Sequence, residues 1–400
     1  MHQEKYLSQT VLNLKESATL KMAQMARDLR AEGHDVISLS VGEPDFDTPK
    51  FIIEAAKQAM DEGYTHYTPV PGLMELRKAI CEKLKRDNNL TYQPNQIVVS
   101  NGAKQSIFNI CHALLNPGDE VVVFAPFWVS YEAIIKLAGG TPVHVVADVA
   151  ADYKVTPEQV DAAITDKTKF VLFSSPSNPT GSVYTKDELA ALAEVIAKHE
   201  DLLVVSDEIY EHIVFDGVHD SIAQHPAVTD RTIVVNGMSK GFAMTGWRLG
   251  YMAAPASIAK ACAKIQGQCT SGATAFGQRA AMIALQADPE VTQDMMRTFL
   301  KRRDLMIERL QKIKGLQLSI PEGAFYIFPD CSNFFGKSYK NKVIHTSDDL
   351  AEAILKGANV ATVSGAAFGA PNCLRISYAA SEDILLEACS RLETFFGELV

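Results

Sequence analysis

No stretch of this 400-residue chain approaches the roughly 18–20 consecutive apolar residues that a membrane-crossing helix requires. The opening MHQEKYLSQTVLNLKESAT lacks the apolar centre of a secretory signal. Cysteine is sparse and odd in number, with seven scattered residues and no CxxC, which argues against a disulfide framework. The ten histidines form no ligand spacing with those thiols, so no metal site is expected. Reduced thiols in a cytoplasmic protein fit this pattern best. Basic residues are outnumbered, 38 Lys and Arg against 48 Asp and Glu, for a formal charge of −10. A nucleic-acid-binding face would need clustered Lys and Arg, so neither nucleic acid nor membrane is an expected partner. No internal repeat or low-complexity segment is present. A hydrophobic content of 47% with 22% charged residues describes an ordinary globular protein, long enough for two or three domains.

Short β-type runs alternate with helical patterns along the middle of the chain. Strands are expected at Ile97–Ser100, Glu120–Phe124, Thr141–Val146, Phe170–Ser174, Leu202–Ser206, Thr232–Val235 and Leu249–Ala253. Such alternation implies an α/β fold with a largely parallel sheet covered on both faces. Earlier, Val36–Val41 is an expected strand, and Thr48-Pro49 opens a helix with Thr48 as its cap. Thr185 with Glu188 forms a capping box. A long helix is expected from Val291 to Lys314, a flexible loop over Phe334–Lys342, a strand over Cys373–Tyr378 and a final helix over Ser381–Leu399.

In such sheets ligands gather beyond the carboxyl ends of the strands. Lys104, Trp128, Asn178, Asp207, Tyr210 and Lys240 all follow strand ends, and one rim would collect them. Lys240 stands out because Gly237, Ser239, Gly241 and Ala243 surround it. A primary amine condenses reversibly with a carbonyl, and its pKa falls when it is desolvated. Our central expectation is that Lys240 forms a Schiff base with the aldehyde of pyridoxal phosphate (PLP). That chemistry also needs a carboxylate at the pyridine nitrogen, donors to the ring hydroxyl, a flat stacking group and an anion cradle. Asp207 ends the apolar run LLVVSD, where a carboxylate needs a cationic or donor partner. The strand-turn-helix VVSNGAKQSIF aims backbone N–H groups at an anion. Arg248 suits a phosphate, and Arg375 a substrate carboxylate. Taken singly, each has an ordinary alternative: a surface lysine, a helix-capping or ion-paired aspartate, a turn at Asn178, a core tryptophan, buried salt bridges.

Together they carry a resemblance. SVGEPDFDTP, YTPVPG, SNGAKQ, PFWVSY, PSNPTG, SDEIYE, NGMSKGFAMTGWRLGY and LRISYA, spread over almost the whole chain, resemble the class I aminotransferases of PLP fold type I. The nearest likeness is to the bacterial aspartate and prephenate aminotransferase branch. That resemblance implies a large domain over 50–290 with a mostly parallel seven-stranded sheet sandwiched by helices. It adds a smaller α/β domain built from both termini, over 1–49 and 291–400. It implies that Lys240 carries PLP and moves the substrate α-proton, and that Asp207 pairs with the pyridine nitrogen. Asn178 and Tyr210 would hold the ring oxygen and Trp128 would stack on the ring. Gly102, Ala103, Lys104, Ser239 and Arg248 would surround the phosphate. Tyr67 would reach the phosphate of a neighbouring subunit, in a homodimer with shared sites. Gly42 and Arg375 would bind the substrate α-carboxylate.

For the side-chain end of the substrate, the resemblance points to Lys104, with Ser17 and Thr19 nearby. Gln268-Cys269-Thr270-Ser271 falls where other branches place a dedicated second arginine, and none is present. Gly237 stands where related branches carry a serine. The implied activity is amino transfer between aspartate and 2-oxoglutarate. Prephenate or broader aromatic donors are the alternative, and a PLP-dependent lyase a remoter one. A PLP-binding regulator would need a DNA-binding domain ahead of this part, and only about thirty-five residues precede the first expected strand.

Overall fold

The apolar runs of the middle region do assemble into a single sheet in the computed structural model, which describes residues 6–14 and 16–400. Its strands are β1 (Ile97–Ser100), β2 (Glu120–Ala125), β3 (Thr141–Val146), β4 (Thr168–Ser174), β5 (Leu203–Asp207), β6 (Thr232–Gly237) and β7 (Gly250–Ala253). Their spatial order is β1-β7-β6-β5-β4-β2-β3. All neighbours pair in parallel except β7, which runs against both β1 and β6.

Successive side chains of a strand point to opposite faces, so a run such as EVVVFA can be apolar throughout only if both faces are covered. They are. Val121 and Val123 of β2 pack with Val205 and Val235 under the helices Ala103–Leu114, Ser130–Leu137 and Ala256–Cys269. Val122 and Phe124 point the other way, towards Leu189, Leu192 and Ile196 of the helix Lys186–Ala197. Further along that face, Val99, Val234 and Tyr251 meet Ile52, Leu76 and Ala281 of three more helices. Each fully buried Val, Leu or Ile contributes about 1.5–3 kcal/mol relative to an exposed one, so this two-sided burial dominates the fold.

The topology fixes one rim. The carboxyl ends of β1, β2, β4, β5 and β6 lie along one edge of the sheet. Because β7 is reversed, its beginning lies at that same edge, bringing Arg248 alongside the ends of β1 and β6.

A second core forms around Phe299, Phe325, Leu350, Ile376, Leu385 and Phe395, joined by Met22, Ala26 and Leu39 from early in the chain. Ile37–Ser38 pairs in parallel with Val360–Ala361, while Tyr326–Ile327, Leu374–Ser377 and Val363–Ser364 form a small antiparallel sheet. The helix Ser347–Ala358 packs on Val360–Ala361 and Val363–Ser364, Glu382–Gly397 packs on that helix and on Val360–Ala361, and Gln293–Leu310 packs on Glu382–Gly397.

Several local expectations need correction. Thr48 does not cap the helix Lys50–Asp61; Pro49 occupies the cap position with no side-chain hydrogen bond, and the Thr48 hydroxyl instead donates to the Ala243 carbonyl and accepts from Trp247 Nε1. The segment expected as a loop over 334–342 instead enters a short hairpin, Ser338–Tyr339 against Lys342–Val343. Of Val36–Val41, only Ile37–Ser38 makes strand pairs. All seven cysteines are free, five of them buried. Among the described residues no helix is long and apolar enough to cross a membrane.

Candidate active site

The rim encloses a cavity of ≈ 330 Å³, within the range that takes a small organic ligand. Its lining collects Ser17, Thr19, Gly42, Ala103, Lys104, Trp128, Asn178, Asp207, Tyr210, Ser239, Lys240, Arg248 and Arg375, brought from positions 17 to 375. Tyr67 stands apart: it is 98% exposed and does not line the cavity. Gly102 lies just behind the wall.

Asp207 closes β5 and is buried. Its Oδ2 accepts from the Tyr131 hydroxyl at 2.6 Å, and its Oδ1 from the Ile209 amide at 3.3 Å. Burial pushes its carboxyl up to about 6, and these two donors offset only part of the cost. Changing Tyr131 to Phe removes the shorter bond. The Asp207 carboxyl of cofactor-free protein is then expected to titrate about 1–2 units higher, as read by carboxylate NMR.

Lys240 follows β6 and donates from Nζ to the Gly42 carbonyl. Its side chain borders the open cavity but is otherwise ringed by protein, and this loss of water brings its ammonium down to about 8. Glu43 opposes that shift, whereas Arg375 and Arg248 reinforce it. A lysine in this state is substantially neutral just above pH 8, as a nucleophile or proton acceptor must be.

At the other end, the helix Ala103–Leu114 starts with no side-chain cap. Its first amides and its dipole are thus free to meet an anion. Gly102 makes the start possible: its φ is +82°, and a Cβ there would collide with Arg248 Nη2. Arg248, itself at φ +55°, donates to the Thr245 carbonyl and projects its guanidinium over this end. Lys104 Nζ lies 4.8 Å from the Trp128 ring centre, and partial burial together with Arg248 lowers its pKa.

Arg375 interrupts the apolar strand Leu374–Ser377 and is buried. It donates to Asn178 Oδ1 at 3.0 Å and to the Ser40 carbonyl at 2.7 Å, and is flanked by the rings of Tyr326 and Phe368. Its Nε has no partner among the described residues. A buried donor left in this state is costly, and an incoming carboxylate nearby would relieve it.

Three of the lining residues to which the sequence reading gave no role make polar contacts within the site. Tyr131 bonds Asp207, Tyr326 shares a 2.7 Å hydroxyl contact with Tyr210 and flanks Arg375, and Glu43 bonds Thr245 across the mouth. Tyr131 sits within PFWVSY, but nothing in spacing alone links it to Asp207.

Four cations, Lys104, Lys240, Arg248 and Arg375, thus face two carboxylates, Glu43 and Asp207, in an otherwise acidic chain. The donor set fits PLP. A phosphate suits the uncapped helix start beside Arg248, and a protonated ring nitrogen suits the buried Asp207 carboxyl. Trp128 supplies an aromatic wall, and Lys240 is the desolvated amine.

Comparison with known proteins agrees in kind. The family model described as aminotransferase class I and II matches residues 34–392. The aspartate/prephenate aminotransferase of Cereibacter sphaeroides is 47% identical over 98% of this chain and 99% of its own length. The aspartate aminotransferase of Bacillus subtilis is 43% identical over 97% and 98%. Among solved structures, the aspartate aminotransferase from Rhizobium meliloti superposes with a TM-score of 0.95 at 41% identity, covering 98% of this chain and 99% of that one. The aspartate aminotransferase from Thermus thermophilus with maleate gives 0.91 at 40%, covering 97% and 99%.

Proposed function

The chain belongs to the class I and II aminotransferases, PLP enzymes acting on amino and oxo acids, and from that premise we propose that it transfers the amino group of aspartate to 2-oxoglutarate. The observation that carries the proposal is Lys240, desolvated and within electrostatic range of Asp207, Arg248 and Arg375. When bound, PLP supplies an electrophilic carbonyl and an electron sink. The protein supplies position and protons. Asp207, held by Tyr131, would place negative charge at the ring nitrogen, while Asn178 and Tyr210 would hold the ring oxygen. Ala103, Lys104, Ser239 and Arg248, backed by Gly102, would hold the phosphate. Arg375, kept in place by Asn178 and the Ser40 carbonyl, receives the substrate α-carboxylate beside Gly42. Lys240 Nζ takes the proton from the substrate α-carbon and returns it, a role suited to an amine titrating near 8.

Aspartate is favoured because relatives at 43–47% identity carry that name and because Lys104 projects into the cavity. Ser17 and Thr19 line the same region, and the Thr19 hydroxyl has no partner among the described residues. Prephenate use is a second reading, favoured by the name of the Cereibacter relative and by the absence of arginine from 268–271. The same proposal includes a cytoplasmic homodimer, with exposed Tyr67 reaching the phosphate of the other subunit. It also includes a division into 50–290 against 1–49 with 291–400, supported by the pairing of Ile37–Ser38 with Val360–Ala361.

The test is a panel of half-reactions, following the spectrum of bound cofactor with each amino acid in turn. Aspartate and glutamate should convert it with stoichiometric oxo-acid formation; ammonia release would point instead to elimination. Replacing Lys104 with Ala should lower kcat/KM for dicarboxylic donors about 10–100-fold, the value of one charge-assisted bond, and aromatic donors much less. Equal losses would assign Lys104 to the phosphate alone.

A further inference from the structure

Directly behind the site lies a second set of charges that the chemistry above does not use. Residues 207–212 leave β5 as a tight turn: the Glu208 amide donates to the Val235 carbonyl of β6 and the Glu211 amide to the Glu208 carbonyl. Asp207 and Tyr210 line the cavity. Glu208 and Glu211, each one residue later, are buried on the far side.

Both of those carboxylates are anchored. Glu208 Oε1 accepts from the Ser206 and Ser221 hydroxyls at 2.9 and 2.6 Å, and its Oε2 lies 3.1 Å from His219 Nε2. Glu211 meets Lys83 Nζ and accepts from Asn88 Nδ2 at 2.9 Å; Lys83 in turn donates to Asn88 Oδ1 at 2.8 Å. Lys83 comes from the helix Met74–Asn88 and its side chain is only 1% exposed. Burying an ion pair so fully is expensive, and apolar residues of similar volume often replace one without loss of stability. Stability alone therefore accounts poorly for its presence.

The cluster also touches the lysine-bearing segment. His212, 3.4 Å from Glu211 Oε1, lies against Gly241, where a Cβ would strike its ring, and it packs edge-on to Phe242. One side of the turn thus meets the helix Met74–Asn88, and the other supports the residue next to Lys240.

We propose that Glu208 and Glu211 are positioning residues, and that their buried ion pairs with His219 and Lys83 hold Asp207, Tyr210 and, through His212, Lys240 in register with the cavity. Burial alone would raise the Glu211 carboxyl, but Lys83 and the two histidines hold it well below the usual range, so the clamp stays charged. Burial likewise opposes protonation of His219, and the Glu208 carboxylate overcomes it.

The roles of Asp207 and Lys240 rest on the proposed amino transfer. The test therefore includes a readout that needs neither substrate nor cofactor, so the clamp can fail while the chemistry stands. In cofactor-free protein, competitive acetylation across pH, read by mass spectrometry, gives the titration of the Lys240 amine. That amine is faced by Glu43, Asp207, Tyr210, Arg248 and Arg375. Glu211→Gln should move its titration upward by at least about half a unit as the lysine regains water. In loaded enzyme, the same change should lower kcat about tenfold or more with KM for the amino donor little altered. If Glu211→Gln does not fold, Lys83→Met with Glu211→Leu removes both charges together and should show the same two effects. Variants that lose melting temperature while keeping the wild-type Lys240 profile and kcat would overturn the proposal.

Discussion

Lys240→Ala should lose at least about four orders of magnitude in turnover, because one substitution would remove both the nucleophile and the proton carrier of the proposed reaction. The structure offers no obvious substitute. Lys104 is the other cavity lysine, but it lies against Trp128 at the start of the helix Ala103–Leu114. The visible band that marks covalent attachment of the cofactor should vanish as well. Folding should survive, since the Lys240 side chain makes one hydrogen bond, to the Gly42 carbonyl. A variant keeping both colour and turnover would contradict the assignment. Circular dichroism and a single unfolding transition would show that the loss is chemical.

Asp207→Asn should separate activity from stability, in opposite directions. Asn keeps an acceptor for the Tyr131 hydroxyl but cannot balance a protonated ring nitrogen. Turnover is expected to fall on the order of a hundred- to a thousandfold, as when a preorganised charge is removed from a reacting centre. In cofactor-free protein the sign reverses. The Asp207 carboxyl is raised from an ordinary 3.8 to about 6 by burial. Below the ordinary value both folded and unfolded chains are protonated, and no penalty arises. As pH rises through that window the unfolded chain ionises first, and stability is lost until about pH 6. Above it, the ionised carboxylate costs about 3 kcal/mol relative to a neutral group. Cofactor-free Asp207→Asn should therefore unfold at higher denaturant than wild type at pH 7, with no such gain near pH 4. Equal midpoints at pH 7 would show that Asp207 carries no burial penalty.

The large sheet was legible because its strands are buried on both faces. Runs such as EVVVFA and LLVVSD have no polar alternation to confuse them, and the observed strand ends fall within about two residues of expectation. Arg375 was legible for the complementary reason, as a charge set inside an apolar strand. The helices Ala256–Cys269 and Ala275–Gln286 were not singled out. Their many Ala and Gly residues give weak contrast between faces, although they cover the sheet on opposite sides. Thr48 has the sequence context of a helix cap, but its hydroxyl is taken by partners about two hundred positions away. The pairing of Tyr131 with Asp207 and of Tyr326 with Tyr210 likewise depends on spatial closeness that no spacing rule encodes. The charged clamp behind the site was partly in view in SDEIYEH, but Lys83 lies 128 positions from its partner.

The pairing of Ile37–Ser38 with Val360–Ala361 bears on how the protein is born. On the ribosome, the earlier strand must wait for a partner more than three hundred positions behind it. At ordinary elongation rates of about 5–20 residues per second, that delay is roughly 15–65 s. The large sheet, whose strands all lie between Ile97 and Ala253, can close during the interval. The amino-terminal segment can dock only once residues 360–361 have been made. Until then its apolar side chains, Met22 and Leu39 among them, lack the later residues, such as Ile376, Leu385 and Phe395, that share their core in the folded protein.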